Sequence, residues 1–135
     1  GIGDSMNVFG HTSLNAAADT LELLYTCPVV SDSIDVGTAE DIETYAQQAV
    51  TQTQVTSIIV CNYDGTTAVE FDIAYTGSSA DTQGNPEFRL FFDNALAAET
   101  TVILNPGLVM APGNEIWVKS HLATTAFTIN YIEIT

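Results

Sequence analysis

The chain has 135 residues, 46% of them hydrophobic, with six Phe, five Tyr and one Trp, which is enough apolar material for one domain with its own core. Seventeen acidic residues face only Arg89 and Lys119, a formal net charge of -15. Affinity for nucleic acid comes largely from Lys and Arg displacing counterions, so this balance excludes nucleic acid as a partner, and it disfavours anionic membrane surfaces for the same reason.

Residues 1–20 (GIGDSMNVFGHTSLNAAADT) show no sustained period of two or of 3.6. They are predicted as an extended N-terminal arm, with Phe9 and His11 as candidate contacts to a neighbouring subunit. The start lacks the basic residues and apolar run of a signal peptide. If a Met preceded Gly1 and were removed, the start would formally match a myristoylation pattern, a short motif that carries little weight. No stretch approaches the roughly 20 apolar residues of a membrane span.

Residues 21–135 are predicted as a single β-sandwich domain. Leu21–Thr26 reads as a strand stopped by Pro28. Thr38–Val50 (TAEDIETYAQQAV) departs from the β pattern: Ile42, Tyr45, Ala46, Ala49 and Val50 recur at helical spacing, Thr38 suits the N-cap, and Glu40, Asp41 and Glu43 suit the first turn. A short inserted helix is therefore predicted near 38–50, with Ile42 and Tyr45 as candidate interface residues. Val55–Asn62 (VTSIIVCN) is almost continuously apolar, as expected of a strand buried on both faces.

In Ala68–Tyr75, Val69, Phe71, Ile73 and Tyr75 alternate with Glu70 and Asp72, which predicts one wet face. Tyr63-Asp64-Gly65 between these two strands reads as a hairpin turn, because Asp-Gly tolerates the positive φ such turns require. Glu87–Asp93 is predicted to carry Phe88, Leu90 and Phe92 on one face. Thr100–Leu104 is the next strand, after an Asn94–Glu99 connection. Pro106-Gly107 and Pro112-Gly113 punctuate the chain. Glu115–His121 places Ile116 and Val118 inward, with Trp117 and Lys119 outward, and Ala126–Ile134 closes the set. About seven strands at this spacing predict an all-β, antiparallel β-sandwich, immunoglobulin-like or jelly-roll.

No catalytic signature emerges. Neither His11 nor His121 lies near a nucleophile motif, no glycine-rich loop ends in Lys-Ser or Lys-Thr, and chance pairs of carboxylates are inevitable among seventeen acids. Cys27 and Cys61 alone cannot complete a zinc site; a disulfide between them is one reading, and free, buried thiols are the favoured one. Asp32, Asp35, Glu40, Asp41 and Glu43 are weak candidates for Ca²⁺, but their spacing is not that of an EF-hand, and a solvated acidic loop is the simpler expectation. Trp117, Tyr45 and Tyr63 suit sugar platforms in principle and packing or subunit contacts more simply, Trp117 being retained as a candidate interface residue. No cofactor is expected.

Four segments together carry a resemblance: Leu24-Tyr25-Thr26-Cys27-Pro28, Val55 through Asn62, Pro112-Gly113-Asn114-Glu115-Ile116-Trp117-Val118, and the ending from Phe127 to Ile132-Glu133-Ile134-Thr135. In their order and spacing they resemble short virion proteins of tailed bacteriophages, especially marine ones, over roughly residues 21–30 and 52–135. The resemblance implies a non-enzymatic β-sandwich on the outer surface of the capsid, decorating or cementing the shell. Its partners would be the major capsid protein and other copies of itself, in a trimer or another closed oligomer. A place in the tail or fibre, with contact to host glycan, is the alternative it allows. Residues 31–50 depart from the pattern, so the acidic helix is expected as the element peculiar to this chain.

Overall fold

The computed structural model describes residues 7–29, 50–77 and 81–135. Within them run nine strands: β1 (Asn7–Asn15), β2 (Glu22–Thr26), β3 (Gln52–Asn62), β4 (Val69–Thr76), β5 (Arg89–Leu96), β6 (Thr100–Leu104), the two-residue β7 (Val109–Met110), β8 (Glu115–Ser120) and β9 (Thr125–Ile134). A 3₁₀ turn at Pro86–Phe88 leads into β5. The helix predicted near 38–50, with Ile42 and Tyr45, and the acidic candidates Asp32, Asp35, Glu40, Asp41 and Glu43 lie outside the described residues, apart from Val50, which has no regular structure.

Two antiparallel sheets pack face to face, one ordered β1-β9-β3-β6 with β7 alongside β3, the other β2-β8-β4-β5. Apart from β7 there are eight strands. The first pairs with the last, the second with the next to last, the third with β6, and the fourth with β5. A long ribbon folded back on itself and wrapped into two sheets has this pairing, which is the jelly-roll. The pairing order thus decides between the two sandwich types that strand spacing alone left open.

The core lies between the sheets. Ile58, Val60, Phe127 and Ile129 from one sheet meet Val69, Phe71, Ile73, Ile116 and Val118 from the other, all essentially inaccessible. The Phe71 and Phe127 rings meet edge to face at 6.2 Å between centroids, and Phe91 approaches Phe71 at 6.4 Å. On β8 the alternation is as expected, with Ile116 and Val118 buried and Trp117 and Lys119 turned outward.

Several local expectations are corrected. Residues 7–15, expected within an arm, form β1 and pair with β9 through nine consecutive positions. Asp64-Gly65 does not close a hairpin, because β3 and β4 belong to different sheets and the segment crosses between them. Gly65 does not use positive φ, a role taken by Gly107 and Gly113. The turn is held instead by the Asp64 carboxylate, which accepts from the Thr66 and Thr67 amides at 2.9 and 2.8 Å and is thereby kept below the usual carboxylate pKa. At the crossing from β7 to β8, Pro112 and Gly113 (φ +89°) occupy the central positions of a turn closed by Asn114 N–H donating to Ala111 O.

β3 is not buried on both faces. Its register against β9 slips between Val55 and Ser57, so Thr56 is an extra residue. The bulge places Thr56 and Ser57 together on the outer side and brings Ile58 and Val60 back into phase with Val55 inside, leaving Ile59 and Cys61 half-buried outside. Both cysteines are free, as expected; Cys27 is buried and Cys61 only partly so.

On β4, Asp72 is not on a wet face but 3% exposed, ion-paired with Arg89. On β5, Leu90 and Phe92 face solvent and Phe91 turns toward the core, because two register shifts against β4 change the phase of the strand. β5 also runs on to Leu96, so the connection to β6 is shorter than expected.

Candidate interaction surface

Charge is distributed unevenly between the two sheets. β1, β3, β6 and β7 contain no Asp, Glu, Lys or Arg, and β9 contains only Glu133. Glu133 faces inward, where its carboxylate accepts a 2.6 Å hydrogen bond from the Tyr25 hydroxyl. The strands of the four-stranded sheet, by contrast, carry Glu22, Glu70, Asp72, Arg89, Asp93, Glu115 and Lys119. In a chain of net charge -15, the outer face of the five-stranded sheet therefore bears no formal charge on any strand.

Register defines what that face presents. One row runs Ser13, Thr128, Ile59, Ile103, and another Phe9, Ile132, Gln54, Val109. Phe9 is 76% exposed, Ile103 61% and Val109 57%. Scattered exposed apolar residues are ordinary on a protein surface; here they alternate with the uncharged polar residues Ser13, Thr128 and Gln54, and it is the depletion of charge that this face shares with an interface centre.

Toward β1 the face dips into a cleft of about 320 Å³ lined by Phe9, Gly10, His11, Thr56, Asn130 and Tyr131. The bulge in β3 delivers Thr56 to it, and the Thr56 hydroxyl donates to Asn130 O at 3.1 Å. Gly10 forms the floor: a Cβ there would sit 2.6–2.8 Å from atoms of the Tyr131 ring, its cross-strand partner. The ring cannot swing aside freely, because its centroid lies 4.3 Å from that of Tyr25. Gly10→Ala is therefore expected to destabilise the protein by about 1–3 kcal/mol through overpacking. Urea unfolding checks this, and an unchanged midpoint would mean that the ring yields without cost.

Beneath the cleft, ionisable groups converge in the interior. Tyr25 Oη lies 2.8 Å from Thr53 Oγ1, which in turn donates to Cys27 Sγ at 3.1 Å. Burial, and then the hydrogen bond to the Glu133 carboxylate, push the Tyr25 phenol far above its ordinary pKa, and burial likewise raises the Cys27 thiol. A protonated, inaccessible thiol is a poor nucleophile, so these groups serve as a hydrogen-bonded brace between the sheets.

Of the residues singled out from sequence, Phe9 and His11 are brought together at the cleft. Trp117 lies on the other sheet, half-buried, with its indole N–H directed to Glu115 Oε1 at 3.3 Å. Tyr63 is about half exposed and its hydroxyl is engaged with Asn15 Oδ1 and Ala123 O, so it forms no platform with Trp117. His121 is structural: its Nδ1 accepts from the Glu70 amide at 2.9 Å. Among the described residues no group of three His, Cys, Asp or Glu is placed to hold a metal ion. Residues that sequence reasoning passed over, Ile59, Ile103, Val109 and Ile132, complete the face; the missed signal was the absence of charge from their segments. In sequence the chain matches no known protein family and no curated protein.

Proposed function

We propose that this chain is a non-enzymatic structural protein of a virus particle, a decoration or cement protein on the outer surface of a tailed-phage capsid that binds the major capsid protein and other copies of itself. The observation that carries the reading is the charge-free outer face of the five-stranded sheet on a chain of net charge -15. Such a face can be desolvated against another protein without stranding an unpaired charge, while the acidic remainder keeps the module off nucleic acid. The jelly-roll agrees with the reading, since viral capsid proteins use it, but lectins and cupins use it too and fold does not select function. The virion location rests on the sequence resemblance.

Copy number in purified particles tests the proposal. Quantitative mass spectrometry against the major capsid protein is expected to give a simple ratio with copies in the hundreds, because the shell alone offers that many equivalent sites. Absence from particles would overturn it. The cleft beside Phe9 favours one second reading, a tail or fibre component that holds host glycan against the exposed ring. A few to a few dozen copies per particle, with glycan binding lost in Phe9→Ala, would support that reading instead.

A further inference from the structure

Each sheet has two edges, and three of the four carry ordinary defences against pairing with another chain. β2 has five residues, includes Glu22 and is interrupted by a register shift between Leu23 and Tyr25. β5 carries Arg89 and Asp93 and has two register shifts. β6 is uncharged but only five residues long. Short length, charge and bulges are the devices by which edge strands avoid edge-to-edge association. β1 has none of them: its nine residues hold no charged residue and no Pro, and its register against β9 is unbroken from Asn7 to Asn15. Among the described residues no strand lies beyond it.

We propose that β1 pairs antiparallel with β1 of a second copy of this chain about a two-fold axis at His11, joining the two five-stranded sheets into one. The occupant follows from charge. A basic partner would call for acidic residues along the edge, and there are none; a partner of like sign can approach a molecule of net charge -15 only where charge is absent, and another copy is such a partner.

The register follows from length and pleat. Only a two-fold at His11 uses all nine residues, setting Asn7 opposite Asn15, Val8 opposite Leu14, Phe9 opposite Ser13 and Gly10 opposite Thr12 of the partner copy. Outward residues then meet outward residues, as the pleat demands. The large side chains Phe9 and Val8 fall beside smaller or partly buried ones, and Val8, 49% exposed, gains an apolar neighbour in Leu14. The inference stands apart from the virion reading, because the dimer needs no particle.

Analytical ultracentrifugation of the full chain tests it. The expected result is a dimer that tightens as salt is raised from about 0.05 to 0.5 M, because the remaining charges are alike and become screened. His11→Glu puts two carboxylates together at the axis and is expected to weaken the dimer about 100-fold or more. His11 is exposed, so circular dichroism and the melting curve should stay close to those of the parent. Ile103→Glu places the same charge on the opposite edge of the same face and should leave the dimer intact. A monomer at about 100 μM, a dimer indifferent to His11→Glu, or one broken by Ile103→Glu instead would each overturn the proposal.

Discussion

Asp72→Ala is expected to destabilise the protein by about 3–5 kcal/mol, the range for stranding one partner of a buried ion pair. Asp72 Oδ2 accepts from Arg89 Nε at 3.0 Å, and both side chains are at least nine-tenths buried. Its other oxygen, Oδ1, accepts from the Asp93 amide at 2.7 Å, at the point where β5 slips register against β4. Among the described residues, removing the carboxylate leaves the guanidinium with Gln83 O as a hydrogen-bond partner, and it frees the irregular stretch of β5. Urea denaturation of the single variants and of Asp72→Ala/Arg89→Met separates the causes. The double variant should recover much of the loss, since an apolar side chain leaves no buried charge behind. A single variant within about 1 kcal/mol of the parent would show the pair to be worth no more than an exposed one.

Asn62→Ala should cost about 2–4 kcal/mol, because the buried Leu96 carbonyl and three partly buried backbone groups lose a partner at once. Asn62 is fully buried at the end of β3, with its amide nitrogen donating toward Thr67 O, Leu96 O and Ala97 O at 2.9–3.2 Å. Its carbonyl accepts from the Asp64 amide at 3.0 Å. One side chain therefore fastens both the crossing from β3 to β4 and the turn from β5 to β6. Asn62→Leu preserves the volume and removes only the hydrogen bonds, so a similar loss in both variants assigns the effect to polar satisfaction. If Asn62→Leu instead matches the parent, the carbonyls find other partners and the turns do not depend on Asn62.

Much of the strand content was legible in the sequence because a period of two survives wherever a strand has one buried face. Ile116 and Val118 alternating with Trp117 and Lys119 show this in β8. The failures share a cause. Thr56 carries no local mark of being an extra residue, yet its bulge reverses the phase of β3 and turns Ile59 and Cys61 outward. In β5 Leu90 and Phe92 do share a face, but the sequence alone did not say that this face is the exposed one and that Phe91 turns toward the core. Asp72 looked solvent-bound because local pattern does not reveal that Arg89 reaches it from the neighbouring strand. Of the candidate site, Phe9 and His11 were chosen from sequence, while Trp117 proved to lie on the other sheet.

By itself the sequence determined the class of the molecule: apolar alternation and turn residues specify strands. It also determined that the segments of β1, β3 and β6 lack charge, since that is a property of composition. Only the tertiary structure decided that these segments, far apart along the chain, lie side by side. Pairing the first strand with the last and the third with β6 gathers them into one sheet and sends the charged strands to the other. Tertiary pairing likewise decided that Asp64-Gly65 is a crossing between sheets. A turn motif specifies how the chain bends, but which strands then pair depends on which apolar faces must be buried together.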